Sequence, residues 1–240
     1  MGESIPNAKR ILSRMRRAVH DYDMIQPGDS IAVGVSAGKD SLTLLCALAQ
    51  LRRFYPKPFS LMALTLEMRP GGCDLSAVGE LCSRLDVPYH IIPTDIFEII
   101  FDIRKEKNPC SLCANLRRGI LNSTAKSLGA NKVALGHHYD DVLETFIMNL
   151  LHEGRLGVFS PVTYLDRADI TVIRPMIYVS EKEVRRYASQ ANLPVVHNPC
   201  PANGATERQN AKELIAALSK QYPGVKERIF GAVKRGNLLK

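Results

Sequence analysis

The stretch Ile31-Ala-Val-Gly-Val-Ser-Ala-Gly-Lys-Asp-Ser41 constrains the fold of this chain more than any other. Ile31 to Val35 is an apolar, largely β-branched run, the pattern of an inner strand of a parallel sheet. Ser36, Ala37 and Gly38 are small enough for backbone to wrap closely round a phosphate. Asp40 and Ser41 open an apolar-periodic helix, Leu42 to Leu51. Its free N–H groups and positive dipole end would point at a bound anion, and Lys39 adds a mobile positive charge. An ordinary strand–turn–helix junction has the same outline. A Walker A loop does not, because Val33 stands five residues before Gly38 and Asp40 follows Lys39. An acid inside a phosphate cradle calls for a magnesium ion, or for orientation of a departing pyrophosphate.

The rest of the chain alternates strands with helices. Residues 7–22 predict an amphipathic helix with Ile11, Met15, Ala18 and Tyr22 on one stripe and Arg10, Arg14 and Arg17 on another. Strands are predicted over 59–66, 89–93, 132–135 and 170–174, and helices over 74–85, 95–103, 112–128, 142–152 and 180–191. Ser180 and Glu183 form a capping-box pattern. Residues 153–169 read as a mixed loop, and 203–222 and 225–234 as two final helices. This order predicts an α/β fold, a parallel twisted sheet of about five strands with helices on both faces. It divides into a basic N-terminal helix (1–28), a catalytic domain (29–200) and a helical tail packed on the same domain (201–240). Leu66 ends the second strand at the sheet edge where ligands bind in open α/β sheets, so main-chain groups there are candidates to hold adenine.

Gly136-His-His-Tyr-Asp-Asp141 repeats the geometry of the first junction at the same edge. Asp141 is the candidate catalytic or metal-binding carboxylate, although an acid at a helix start is also favourable for structure alone. His137 and His138 are candidates to contact phosphate or a base, or are hydrogen-bonded structural imidazoles.

Six cysteines in a chain without a signal-peptide pattern argue against disulfides. Cys46 and Cys82 sit among apolar residues and read as core. Cys110-Ser-Leu-Cys113 is a CxxC pair, on its own a redox pair, half a zinc site or chance. Cys200, held between two prolines, is the third member. Three thiolates suit a cubane iron–sulfur cluster with one iron left open; zinc, with His197 as fourth ligand, suits the same spacing. A net charge of +8 points to a polyanionic partner or to a plainly basic surface. No apolar run approaches the roughly 20 residues of a membrane span, so a cytoplasmic location is expected.

Ser36-Ala-Gly-Lys-Asp-Ser41 resembles the SGGxDS signature of the PP-loop ATP pyrophosphatases, with Ala37 at a usual glycine. That departure matters if position 37 needs positive φ. Taken with Cys110-Ser-Leu-Cys113, Leu116-Arg-Arg-Gly-Ile120, Gly136 to Asp141, Arg174-Pro175 and the tail from Cys200 through Tyr222-Pro-Gly224, the chain resembles the tRNA 2-thiocytidine synthetase branch of that family. Thiouridine-forming relatives carry extra Cys/His knuckles at both ends. Here no cysteine precedes Cys46 and none follows Cys200, which favours cytidine.

The resemblance implies ATP-dependent thiolation of tRNA at cytidine 32. ATP would adenylate the C2 oxygen, with pyrophosphate on Ser36, Ala37, Gly38, Lys39 and Ser41, Mg2+ near Asp40, and Gly136, His137 and Asp141 completing the nucleotide site. A [4Fe-4S] cluster on Cys110, Cys113 and Cys200 would deliver sulfur; a cysteine persulfide is the competing chemistry. Arg117, one helical turn past Cys113, would meet nucleotide or substrate. Arg10, Arg14, Arg17, Arg118, Lys234 and Arg235 would grip the RNA backbone. A cysteine desulfurase or free sulfide would supply sulfur, and a homodimer is an option among relatives. The alternatives are a tRNA 2-thiouridine synthetase or another PP-loop adenylating enzyme, and an iron–sulfur or zinc protein that senses RNA without turnover.

Overall fold

The computed structural model describes residues 5–68, 72–104, 109–196 and 207–239. Its centre is a six-stranded sheet in the order β3-β2-β1-β4-β6-β5. The strands are β1 (Asp29–Gly34), β2 (Phe59–Glu67), β3 (Tyr89–Pro93), β4 (Lys132–Ala134), β5 (Val162–Leu165) and β6 (Ile170–Ile173). The first four and β6 run parallel, with Val33 of β1 in register with Ala63 of β2 and Ala134 of β4. Strand order reverses between β1 and β4, so their C-terminal ends open the crevice in which doubly wound sheets bind ligands.

The sequence pattern predicts five strands; β5 is the sixth. It pairs antiparallel with β6 at the sheet edge, inside the stretch that reads as a loop. It has only four residues, and its Tyr164 is 57% exposed. A short edge strand open to solvent lacks the continuous apolar run that marks the inner strands.

Helices α1 (Lys9–Asp21), α2 (Lys39–Arg52), α3 (Ser76–Arg84), α4 (Pro109–Ser127), α5 (Tyr139–His152), α6 (Glu181–Gln190), α7 (Glu207–Gln221) and α8 (Val225–Arg235) surround the sheet. The predicted helix over 95–103 is π-helical over Glu98–Ile103. Helix α2 is buried on every side from Ser41 to Ala49, as an all-apolar helix must be. Ile11, Leu12, Met15, Ala18 and Val19 bury one face of α1 in the main core, leaving its arginines outside. Ala211 and Ile215 of α7 pack on Leu143 and Ile147 of α5, and Val233 of α8 packs on Val142. Helix α4 begins a turn earlier than the sequence pattern places it. Pro109 leads it, a residue that suits a first helical position because its missing N–H has no partner there.

A buried ion pair ties the opposite end of the sheet. Asp29 accepts hydrogen bonds from the Gln26 backbone N–H (2.6 Å) and Asn131 Nδ2 (2.8 Å), and its carboxylate lies 2.7 Å from Lys132 Nζ. Lys132 also donates to the Met24 carbonyl at 2.8 Å. Lys132→Met would leave the Asp29 charge buried without its cation. It is expected to cost about 3–5 kcal/mol, read as a fall in the urea midpoint. A change below about 1 kcal/mol would show that the pair carries no such weight.

Candidate nucleotide site and cysteine pair

The first junction is built by backbone. After β1 the Val35 N–H donates to the Leu64 carbonyl (2.8 Å), and Thr65 Oγ1 donates back to the Val35 carbonyl (2.8 Å). Ala37 then turns the chain with φ +56°, its side chain buried against the core. Position 37 therefore does sit in the left-handed region where glycine is favoured. Gly38, extended at φ −83°, is the N-cap of α2 and makes no side-chain cap. Ser41 Oγ closes the loop: it donates to the Gly38 carbonyl (3.0 Å), accepts from the Ser36 N–H (3.1 Å) and lies 3.2 Å from Ser36 Oγ. Ser36 is exposed at the loop's rim.

The second junction touches the first. A Cβ on Gly136 would lie 3.1 Å from the Asp40 carbonyl carbon and the Ser41 nitrogen, so a side chain there would press on backbone. His138 caps α5: its Nδ1 accepts from the Asp141 N–H (3.3 Å), while the Asp141 carboxylate accepts from the His138 N–H (2.8 Å). The His138 Nδ1 also lies 3.2 Å from Asp141 Oδ2, and its Nε2 faces Asp40 Oδ1 at 3.6 Å. His138 thus lies between the two candidate acids. His137 instead packs on Phe159, ring centroids 4.8 Å apart, with its Nδ1 buried. Burial, together with nearby Arg174 and Arg208, pulls its pKa down to about 4 against the pull of Asp141, so the ring is neutral at pH 7. Burial and Arg118 likewise lower Arg174 to about 10.

Lys39 spans two carboxylates, Asp40 (2.9 Å) and Glu181 (3.3 Å). Burial opposes its charge, but these acids hold its pKa above the usual value. Glu181 also meets Lys212 (2.8 Å) and Arg185 (2.8 Å); burial pushes its pKa up, and the three cations outweigh that and bring it to about 2. Arg208 lies 3.2 Å from Asp141 and 3.1 Å from Glu144. Glu181, Arg208 and Lys212 escape a sequence reading because they come from α6 and α7, far from either loop in the chain, and Glu144, one turn past Asp141, escapes it because its partner Arg208 is equally distant. The capping box expected of Ser180 and Glu183 is present, with the Ser180 N–H donating to Glu183 Oε2 at 3.0 Å, and it starts α6 at Glu181.

Cys110 and Cys113 occupy the first turn of α4, Cys110 exposed and Cys113 partly so, with Arg117 one turn further along the same face. Burial raises the Cys46 thiol to about 12 and Cys82 to about 11, marking both as inert core residues. Cys200 and His197 lie outside the described residues. Among the described residues no three His, Cys, Asp or Glu side chains converge as a metal centre.

At Ala37, Gly would relieve about 1–2 kcal/mol of left-handed strain but lose a buried methyl worth about 0.8 kcal/mol and about 0.4–1 kcal/mol of chain entropy. Ala37→Gly is therefore expected to shift stability by less than about 1 kcal/mol. Ala37→Val adds a β-branched side chain at positive φ and should cost more than about 2 kcal/mol. Denaturant melts of both variants check this; a tolerated valine would contradict the strained turn.

This geometry has close relatives. A family model described as a PP-loop domain matches residues 8–216. The tRNA-cytidine(32) 2-sulfurtransferase of Aliivibrio fischeri (strain MJ11) is 40% identical over 228 residues, 94% of this chain and 74% of the relative. Its counterpart in Pelobacter propionicus is 40% identical over 232 residues, 95% of this chain and 86% of the relative. The U34-tRNA thiolase NcsA from Methanococcus maripaludis, solved with its [4Fe-4S] cluster, superposes with a TM-score of 0.76 at 25% identity, covering 95% of this chain and 79% of that one. The chain belongs to the PP-loop family, in the branch of the tRNA-cytidine(32) 2-sulfurtransferases.

Proposed function

We infer that this protein is an ATP-dependent tRNA sulfurtransferase that converts cytidine 32 to 2-thiocytidine. The observation that carries the reading is the meeting of the Ser36–Ser41 loop and the Gly136–Asp141 loop at the sheet's reversal point, in a chain 40% identical to enzymes of that name.

The C2 oxygen of cytosine is a poor leaving group, and ATP turns it into a good one. The oxygen attacks the α-phosphorus, an O–P bond forms, and the bond to the β-phosphate breaks. Lys39 and the free N–H groups at the start of α2 receive the charge that develops on pyrophosphate. Ser36, Ala37, Gly38 and Ser41 shape that cradle, and main chain at Leu66 and Gly136 borders the nucleoside. Mg2+ is held as a rule by one or two carboxylates plus phosphate oxygens. In this reading Asp40, whose oxygens both accept from Lys39, and Asp141 would each offer Mg2+ a carboxylate oxygen from either side of His138. His137, neutral and packed on Phe159, lines the same edge. Sulfur then bonds C2, the C2–O bond breaks, and AMP leaves.

Cys110 and Cys113 fit a cluster ligand pair: both are soft thiols on one face of a helix start, and neither is sealed in the core. With Cys200 as third ligand they would hold a [4Fe-4S] cluster, which supplies a coordination site for the incoming sulfur. Arg117, one turn past Cys113 on α4, would meet the substrate beside that pair. The sulfur comes from sulfide or a cysteine desulfurase, and the protein works in the cytoplasm. No helix among the described residues is long and apolar enough to cross a membrane.

The RNA-binding residues of the two chain ends support one grip. Arg17 and Lys234 lie 5.7 and 5.1 Å from the centre of the Tyr178 ring, and Arg14 donates to the Tyr178 carbonyl at 3.3 Å. Arg10 and Arg235 are exposed on the same two helices, α1 and α8. Arg118, exposed on α4, bears on Arg174. These cations contact phosphates, and the target base, unstacked from its loop, enters the edge of the sheet.

Anaerobically reconstituted protein, given ATP, Mg2+, sulfide and a tRNA transcript with C32, is expected to yield 2-thiocytidine by nucleoside mass spectrometry, with AMP and pyrophosphate. A transcript with U32 should stay unmodified. Lys39→Ala should lower kcat/KM for ATP about 100-fold or more, and Cys110→Ala should abolish thiolation. Thiolation of U32 at equal rate, or full activity of Cys110→Ala, would overturn the assignment.

A further inference from the structure

Helix α7 turns two cations, Arg208 and Lys212, toward the loops of the site. They stand one helical turn apart and so share a face. Lys212 lies 2.8 Å from Glu181, the carboxylate that also pairs with Lys39. Arg208 Nη1 donates to Asp141 Oδ1 at 3.2 Å and to Glu144 Oε2 at 3.1 Å. The other Asp141 oxygen accepts the His138 backbone N–H at 2.8 Å. Each oxygen of Asp141 therefore has its own donor, one from the helix cap and one from α7. That fixes the plane of the carboxylate.

Glu144, one turn along α5 from Asp141, has a side chain only 6% exposed. Two acids this close repel each other, and a single guanidinium lies between them. Packing does not require the guanidinium, because α7 already seats on α5 through Ala211 and Ile215. The Arg208 side chain keeps 43% of its surface. It reaches past that apolar contact to the acids.

We propose that Arg208 is a positioning residue for adenylation: it holds the Asp141 carboxylate in its working orientation, with Glu144 as the anchor that holds Arg208. The proposal rests on the reading of Asp141 as a carboxylate of the ATP site. It gives α7 a role in the chemistry that neither sequence loop carries.

The test compares wild type, Arg208→Lys, Arg208→Met and the double variant Arg208→Met/Glu144→Gln, by tRNA-dependent pyrophosphate release and by thermal melting. A positioning error of the order of 1 Å lowers kcat about 100-fold. Arg208→Met is expected to show that loss with the KM for tRNA unchanged. Arg208→Lys, which keeps the charge and loses the fork, should recover part of it. In the double variant the uncompensated acid is gone, so its melting temperature should return to the wild-type value while kcat stays low. Recovery of kcat together with the melting temperature would make Arg208 merely structural and overturn the proposal. So would wild-type kcat in Arg208→Met. Absence of pyrophosphate release from wild type would instead overturn the thiolase reading, and this inference with it.

Discussion

The close approach of two backbone loops holds this site together. The turn after β1 and the turn after β4 meet because β1 and β4 are neighbours in the sheet, and because position 136 has no side chain. With backbone of Asp40 and Ser41 3.1 Å from where a Cβ would stand, any larger residue would press on the first helix start and require it to give by a few tenths of an ångström. Once they are together, Lys39, Asp40, His138 and Asp141 share one small volume. The hydrogen bonds that fix them are mostly local: Ser41 to Gly38 and Ser36 in the first loop, His138 with Asp141 in the second. The apolar body of α2 and the inner strands keep those loops from moving relative to the sheet.

Around that centre lies a ring of paired charges. Glu181 gathers Lys39, Arg185 and Lys212; Asp140 accepts the Glu181 N–H at 2.7 Å and meets Lys226 at 2.7 Å; Arg208 spans Asp141 and Glu144. These links join α2, α5, α6, α7 and α8. Partly buried ion pairs of this kind add little net stability, since desolvation offsets attraction. They set orientation instead. A tail helix that looks like packing alone in sequence reaches the nucleotide site through them.

The inner strands, their helices and both loops were legible in the sequence because each is a contiguous pattern: an apolar run, a cluster of small residues, then a helical period. The two buried cysteines were legible from their apolar neighbours, and their raised thiol pKa values agree. Strand β5 was not, since four half-exposed residues at a sheet edge carry no pattern of their own. The ring of charges was equally hidden, because Arg208 and Glu144 are 64 residues apart and nothing local in either marks the other. The roles of the two histidines also needed the fold. His137 and His138 are adjacent in sequence, yet one turns to Phe159 and the other between Asp40 and Asp141. The strain at Ala37 was a conditional in the sequence that the backbone resolved as positive φ.

The chemistry turns on one bond, the one formed between the cytosine C2 oxygen and the α-phosphorus of ATP. The most direct measurement uses tRNA carrying 18O at C2 of cytidine 32, a single turnover under anaerobic conditions with sulfide, and mass spectrometry of the released AMP. Adenylation of that oxygen requires the label to leave in the phosphate of AMP. Label found in water or pyrophosphate, with unlabelled AMP and 2-thiocytidine formed, would contradict it.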